Sequence, residues 1–411
     1  MTAPPLPVTV ISGLAGTGKR ALLARLAAQP DARRVAVLRT TDETLRAELV
    51  HMARNGLADV IVIDARPEDE PMSIAESLML EDEAGETLEA FVTVDTMVTV
   101  IEAASFLDGL ASADGLAERG LDDGGGDRTV GELLIEQVEF CDVFAIDPSG
   151  ETAPIDSHAI ERLQSILAKL NPRAVQIVAD PADVPVDALL ATGRFDAEAT
   201  ASAPGWLSAL DPSSEASPDD PEAPGRGAGH PARHRDQGRQ QDPGTAAQPA
   251  DTPSVDVFVY RARRPFHPAR FFALLHEAWP GILRSKGLFW IATRNDMAGS
   301  LSQVGGTCRH GPAGFWWAAQ PADEWPDDEA FKAEIAHDWL ASPDAHGRET
   351  VGDRRQELVM IGIDIDRDAW QHKFDACLLS DAEWLLKTDG SALFEDPFPQ
   401  WDEDHEHGED H

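Results

Sequence analysis

Val8-Thr-Val-Ile-Ser-Gly-Leu-Ala-Gly-Thr-Gly-Lys-Arg20 is the stretch on which the fold turns. It opens with a β-branched run, Val8-Ile11, continues as Gly13-Leu-Ala-Gly-Thr-Gly18-Lys19, which fits the pattern G-x-x-x-x-G-K, and leads into a helical segment, Leu22-Ala28. Strand, glycine-rich turn and helix in that order are the setting that a phosphate-binding loop requires. The glycines let backbone N–H groups turn inward at a helix N-terminus, where they cradle phosphate oxygens, while Lys19 reaches the β- and γ-phosphates. Gly13, Gly16, Thr17, Gly18, Lys19 and Arg20 are therefore the expected nucleotide contacts. The alternative is a glycine-rich turn that only joins a strand to a helix. Position 20 departs from the pattern, because a Ser or Thr hydroxyl there ligates Mg²⁺ and a guanidinium cannot. Nucleotide binding is thus expected to persist more readily than hydrolysis, with the fixed charge of Arg20 making binding less dependent on Mg²⁺.

Outward from this loop, apolar β-rich runs alternate with helical patterns. Val35-Leu38, Val60-Ile63, Phe91-Val94, Val143-Ile146 and Val175-Val178 read as further buried strands, with Glu43-Arg54, Val130-Phe140 and Asp156-Leu170 as helices between them. Such alternation predicts an α/β domain, a P-loop NTPase fold whose mostly parallel sheet is covered on both faces. A second region begins with a strand at Val255-Arg261 and a helix at Pro268-Ala278. Strands at Leu288-Thr293, Gly314-Ala318 and Leu358-Ile365, with helices at Asp328-Leu340 and Arg367-Leu379, complete a small α+β domain. Between the two, Asp211-Ser254 carries eight prolines and five glycines with almost no large apolar residue. It cannot bury enough surface to offset the entropy of ordering, and reads as a disordered linker. The expected organisation is residues 1–210 as a P-loop domain, 211–254 as linker, 255–400 as the α+β domain and 401–411 as an acidic tail.

The chain has 411 residues, ample for two cores, and 34 Lys+Arg against 73 Asp+Glu give a formal charge of −39. A field of that sign repels phosphate backbones and anionic lipid, which argues against general nucleic-acid or membrane binding. Three widely separated cysteines, Cys141, Cys308 and Cys377, do not make a disulfide framework. With no basic leader and no apolar run of membrane-spanning length, a cytoplasmic protein is expected. One island escapes the acidity: Arg261 to Arg294 holds seven Lys/Arg and a single acid, Glu277. It could face a nucleotide phosphate, RNA, a partner or the acidic first domain. Phe266, Phe271, Phe272, Phe289 and Trp290, interleaved with it, could stack on bases, but their spacing suits a hydrophobic core better.

Several phrases of the second region resemble the CobW-like proteins, P-loop GTPases associated with metal insertion and zinc homeostasis. They are Tyr260-Arg-Ala-Arg-Arg-Pro-Phe-His267-Pro-Ala-Arg-Phe271, Trp279-Pro-Gly-Ile-Leu-Arg-Ser-Lys-Gly-Leu-Phe-Trp290 and Gly352-Asp-Arg-Arg-Gln-Glu-Leu358. Asp375-Ala-Cys-Leu-Leu379 and Asp396-Pro-Phe-Pro-Gln-Trp401 continue the likeness, and Leu170-Asn-Pro-Arg173 and Ala203-Pro-Gly-Trp206 extend it into the first half. The resemblance implies a CobW C-terminal domain after the linker, a bound GTP or other nucleoside triphosphate with Mg²⁺, a role in handling zinc and a client metalloprotein as partner.

The resemblance also implies three signatures that this chain lacks or alters. The Cys-x-Cys-Cys metal motif falls at Ala36-Val-Leu-Arg39, without a thiol. The acidic Glu-x-x-Gly segment becomes Asp64-Ala-Arg-Pro67, followed by Glu70-Pro71. Asp64 could still hold a Mg²⁺-bound water beside Lys19 as the catalytic pair, or it could only cap the following turn, and Pro67 lacks the N–H that a glycine would offer a γ-phosphate. The guanine-reading Asn-Lys-x-Asp becomes Asp147-Pro-Ser-Gly150. For a metal, Cys308 and His310 are two apart, on one face if the segment is a strand, with His267 in a matched phrase, but the tail is the denser collector. There His405, His407 and His411 stand among carboxylates, and such a set suits Zn²⁺, Ni²⁺ or Co²⁺ with weak geometric selectivity. A solubilising tail is the plainer alternative. The functional expectation is a CobW-like GTP-binding protein of zinc homeostasis or delivery with weak or no hydrolysis. Its rival is a non-hydrolysing regulatory or metal-buffering pseudo-GTPase.

Overall fold

The computed structural model describes residues 4–14, 16–28, 33–40, 44–79, 87–121, 126–149, 155–201, 204–210, 255–321, 323, 325–340, 351–386 and 394–401. The segment read as a linker and the histidine tail lie outside the described residues. In the first half, β1 (Leu6–Ser12), α1 (Thr17–Ala27), β2 (Val35–Arg39), α2 (Leu45–Asn55), β3 (Val60–Asp64), α3 (Pro71–Met79) and β4 (Val92–Glu102) come first. They are followed by α4 (Phe106–Ala111), α5 (Val130–Glu139), β5 (Val143–Asp147), α6 (Ser157–Leu170), β6 (Val175–Val178) and two short helices, α7 (Ala197–Ala201) and α8 (Gly205–Leu210). The six strands form one all-parallel sheet in the order β2-β3-β1-β4-β5-β6. Near-continuous apolar strands such as Val60-Ile-Val-Ile63 follow from burial on both faces. On one face Ile11, Val62 and Val98 pack against Leu22 and Leu26 of α1, and on the other Val10, Ile63 and Phe144 meet Leu133 of α5 and Leu163 of α6.

The second half comprises β7 (Val255–Ala262), α9 (Pro268–Leu275), β8 (Ile282–Phe289), β9 (Met297–Val304), β10 (Thr307–Phe315), α10 (Glu329–Leu340), β11 (Gln356–Ile363), α11 (Arg367–Cys377) and α12 (Asp381–Leu386). Its antiparallel sheet has the order β10-β9-β8-β11-β7. Alternation along β11 splits its side chains between two cores. Leu358 and Met360 join an aromatic cluster under α9 and α11, where Tyr260 stacks on Phe374 at 4.8 Å and Phe266 on Phe271 at 4.3 Å. Val359 and Ile361, with Val304 of β9, join the core of the first domain instead. Phe266, Phe271 and Phe289 are wholly buried, which excludes them as base-stacking faces.

Two strands lie earlier in the chain than their sequence predicts. The strand expected at Leu288-Thr293 is β8, Ile282–Phe289, and the one expected at Gly314-Ala318 is β10, Thr307–Phe315, with Trp317–Ala319 in a 3₁₀ turn. β8 contains Arg284, Ser285 and Lys286, which mask its strand character. Arg284 is nonetheless 3% exposed, because its guanidinium meets Glu139 of α5 at 2.8 Å and donates to Ser302 Oγ at 2.8 Å. Arg309 of β10 makes a second bridge to the first domain through Glu132 and Asp127. The α5 terminus it grips is a capping box: the Thr129 side chain accepts from Glu132 N–H and Glu132 from Thr129 N–H.

The basic island faces in part the first domain and in part acids of its own domain. Arg284 pairs with Glu139 of the first domain, Lys286 lies over the Trp206 ring at 4.9 Å and Arg261 donates to Leu210 O at 3.2 Å. Arg261, Arg264, Arg270 and Arg294 pair with Glu357, Asp381, Glu383 and Asp396 of their own domain, and Arg263 donates to Gly352 O. Five of the seven cations thus pair with acids distant in sequence, which engages them within the fold rather than leaving them open to RNA. Among the described residues no helix is long and apolar enough to cross a membrane.

Candidate nucleotide site

The loop after β1 lies at the C-terminal edge of the parallel sheet, where the strand order departs to both sides of β1 and where ligands of open α/β sheets bind. α1 begins at Thr17 behind an extended Gly16, and no side chain caps it, so its first N–H groups are left for a ligand. Gly13 adopts φ +127°, and a Cβ there would come within 2.7 Å of Val100 O. Lys19 is 7% exposed; its ammonium donates to Ala65 O and pairs with Asp64 Oδ1 at 3.0 Å. The other oxygen of Asp64 faces Arg39 Nε at 3.5 Å, as the β2-β3 register, which sets Arg39 beside Asp64, requires. Lys19 and Asp64 are thus brought together, with exposed Arg20 beside them on α1.

Beside the loop, on its β2/β3 side, opens a cavity of about 570 Å³. Lys19, Arg20, Arg39 and Arg66 line it, with Asp64 the one carboxylate among the described lining residues, and Leu23, Ala24 and Val37 supply an apolar wall. The donor set does not fit Mg²⁺. Arg20 brings a fixed cation where a hydroxyl is needed, and both oxygens of Asp64 are already engaged by cations.

On the other side of β1 the charge reverses. Glu102 ends β4 with its carboxylate against Gly16, where a Cβ would lie 1.8 Å from Oε1, and that oxygen is buried with no hydrogen-bond partner among the described residues. Asp147 ends β5 against Gly18, 2.7 Å from where a Cβ would sit, and accepts from Ser149 N–H at 2.9 Å. Glu102 and Arg39 were not singled out by the sequence. The one signal for them is position, since each is the last residue of a strand flanking the loop strand or its neighbour. An unpartnered buried carboxylate beside an anion site opposes the anion. Glu102→Gln should therefore tighten triphosphate binding several-fold, and an unchanged or weaker affinity by titration would refute the repulsion.

The segment after Asp64 is tied to α5. Gln137 Nε2 donates to Pro67 O at 3.1 Å, and Arg128 donates to Glu68 O at 3.2 Å and pairs with Glu70 at 3.3 Å. Leu170-Asn-Pro-Arg173 turns out to be structural: buried Asn171 donates to Val138 O and Cys141 O, and accepts from Arg173 N–H.

For metals, no group of three or more His, Cys, Asp or Glu side chains converges among the described residues. Burial raises the Cys308 thiol to about 12 and the Cys377 thiol to about 11, and it raises Cys141 further. Each is thus held away from the thiolate form that binds metal. Burial, then the neighbouring His276 and Arg294, lowers the pKa of His310. His405, His407 and His411 fall outside the described residues.

A P-loop type α/β domain joined to an antiparallel α+β domain is the class that this fold and site define. Residues 255–378 match the cobalamin synthesis protein cobW C-terminal domain. The zinc-regulated GTPase metalloprotein activator 1 of Dictyostelium discoideum is 26% identical over 371 residues, covering 89% of this chain and 69% of that protein. A zinc chaperone of Mycobacterium tuberculosis is 30% identical over 150 residues, 36% of each chain. The crystal structure of the Zn(II)-bound YjiA GTPase from E. coli aligns over 92% of this chain and all of that one, at 14% identity and a TM-score of 0.36. Residues 255–378 thus carry a CobW C-terminal domain, which follows a P-loop type α/β domain.

Proposed function

We propose that the chain binds a nucleoside triphosphate, GTP by its likeness to the family, at Gly13, Gly16, Thr17, Gly18 and Lys19, and acts in zinc homeostasis or in delivery of zinc to a client metalloprotein in the cytoplasm. The observation that carries the reading is the buried Lys19 at the uncapped start of α1, beside a cavity large enough for phosphates. The zinc assignment draws on the names of the Dictyostelium and mycobacterial relatives. Hydrolysis is weak or absent in this reading, because Arg20 replaces a metal-ligating hydroxyl, Asp64 is held by Lys19 and Arg39, and Pro67 has no N–H to give. The same double pairing of Asp64 favours a second reading, a non-hydrolysing module that regulates or buffers metal. Titration of the purified chain with fluorescent GTP and ATP analogues, followed by phosphate-release assays, tests both readings. Binding with little turnover is expected; no binding at millimolar nucleotide would refute nucleotide recognition, and brisk Mg²⁺-dependent turnover would refute both accounts of the chemistry.

Zinc is proposed to bind at His405, His407 and His411, in the 401–411 tail that follows the C-terminal domain. Neutral imidazole is the ligand form, so uptake should fall as pH drops through about 6.5, the ordinary histidine value. Deleting residues 402–411 should remove most Zn²⁺ uptake and leave nucleotide binding intact. Calorimetry with unchanged stoichiometry after truncation would move the site to Cys308, His310 or His267.

A further inference from the structure

The charge around the phosphate-binding loop is divided by β1. Lys19, Arg20, Arg39 and Arg66 line the cavity on the β2/β3 side, whereas Glu102 and Asp147 stand against Gly16 and Gly18 at the ends of β4 and β5. Arg66 is already paired with Glu68 and Asp69, so Lys19, Arg20 and Arg39 against Asp64 leave that cavity with a surplus of two positive charges, in a chain whose formal charge is −39. Arg20 is exposed and makes no side-chain bond or ion pair among the described residues, and Arg39, 78% exposed, touches Asp64 only at 3.5 Å. Both guanidinium groups can therefore turn to a ligand at little cost, and a guanidinium fork matches phosphate oxygens in pairs. Among the described residues the one carboxylate lining the cavity, Asp64, is engaged on both sides and so is not free for a divalent ion.

We propose that this cavity is a polyphosphate site that works without a divalent cation, with Arg20 and Arg39 neutralising the charge that Mg²⁺ would otherwise carry. The ligand chemistry is a chain of two or three phosphoryl groups, whether attached to a nucleoside or free as inorganic polyphosphate. Lys19 and the N–H groups at the start of α1 hold one end, and the two arginines hold the other. The acids on the β4/β5 side steer the phosphates toward the arginines by repulsion. The proposal rests on the nucleotide reading only for the identity of the ligand, not for the site itself.

The full chain is titrated with GTP, ATP and inorganic tripolyphosphate, each in excess Mg²⁺ and in excess EDTA at fixed ionic strength. The wild-type chain is expected to bind with affinities that differ less than about threefold between the two conditions, because fixed guanidinium charges replace the ion. Arg20→Thr, and separately Arg39→Gln, should lose about tenfold or more in EDTA, the scale of one charge-assisted phosphate contact, and Arg20→Thr should regain it in Mg²⁺. Both positions are exposed, so folding is not at stake, and circular dichroism checks it. Loss of wild-type binding in EDTA would overturn the proposal while leaving the nucleotide reading intact. EDTA-resistant binding of tripolyphosphate alone would uphold the site and defeat the nucleotide reading. Absence of all binding would end both.

Discussion

Replacing Arg284 with alanine should destabilise the folded chain by about 3–5 kcal/mol, the range for leaving one partner of a buried ion pair uncompensated. Arg284 and Glu139 are 3% and 2% exposed, and two nitrogens of the guanidinium meet the carboxylate at 2.8 and 3.2 Å. The truncation strands a carboxylate on α5 and leaves Ser302 Oγ without its donor. Removing both charges should be far milder: Arg284→Met with Glu139→Leu keeps much of the volume and strands nothing, so it should unfold close to wild type. Urea unfolding followed by tryptophan fluorescence reads this difference, since nine of the ten tryptophans lie in the second half. A single-variant loss below about 1 kcal/mol would mean that water reaches the pair and that the interface is looser than its burial indicates.

The same pair marks where sequence reading stops. The parallel sheet was legible because a strand buried on both faces has little choice of composition, and Val60-Ile-Val-Ile63 and Val143-Phe-Ala-Ile146 are short, β-rich and apolar throughout. β8 was not, because Arg284-Ser-Lys286 looks like a solvated turn until Glu139, 145 residues earlier, is seen to meet it. β4 was read only at its start, since Asp95 breaks the apolar run; Asp95 is buried because Thr192 N–H and Gly193 N–H donate to its carboxylate at 2.8 and 2.9 Å. In the candidate site, the glycines and Lys19 announce themselves by spacing, because backbone conformation and one ammonium are what phosphate needs. Arg39 and Glu102 carry no motif. Their roles come from register and strand order, which set them on opposite sides of the loop, and such long-range placement leaves no local trace in a sequence.

Lys19→Ala should weaken triphosphate binding by about 1.5–3 kcal/mol, roughly ten- to a hundredfold, the scale of a charge-assisted hydrogen bond to phosphate. The effect is bounded above by what Lys19 relinquishes, since its ammonium already donates to Ala65 O and pairs with Asp64. A ligand must draw it from both, and the energy of those contacts is subtracted from the gain. Asp64→Asn separates the two contributions. It removes the competing charge while keeping the shape, so it should tighten binding in the wild-type background and have a much smaller effect once Lys19 is alanine. That non-additivity, measured as a double-mutant cycle by equilibrium titration, is the signature of Lys19 shared between Asp64 and phosphate. Additive effects would mean that Lys19 never leaves Asp64 and that the phosphates are held by the arginines and the backbone alone. Unchanged affinity in Lys19→Ala would remove the loop from the binding site altogether.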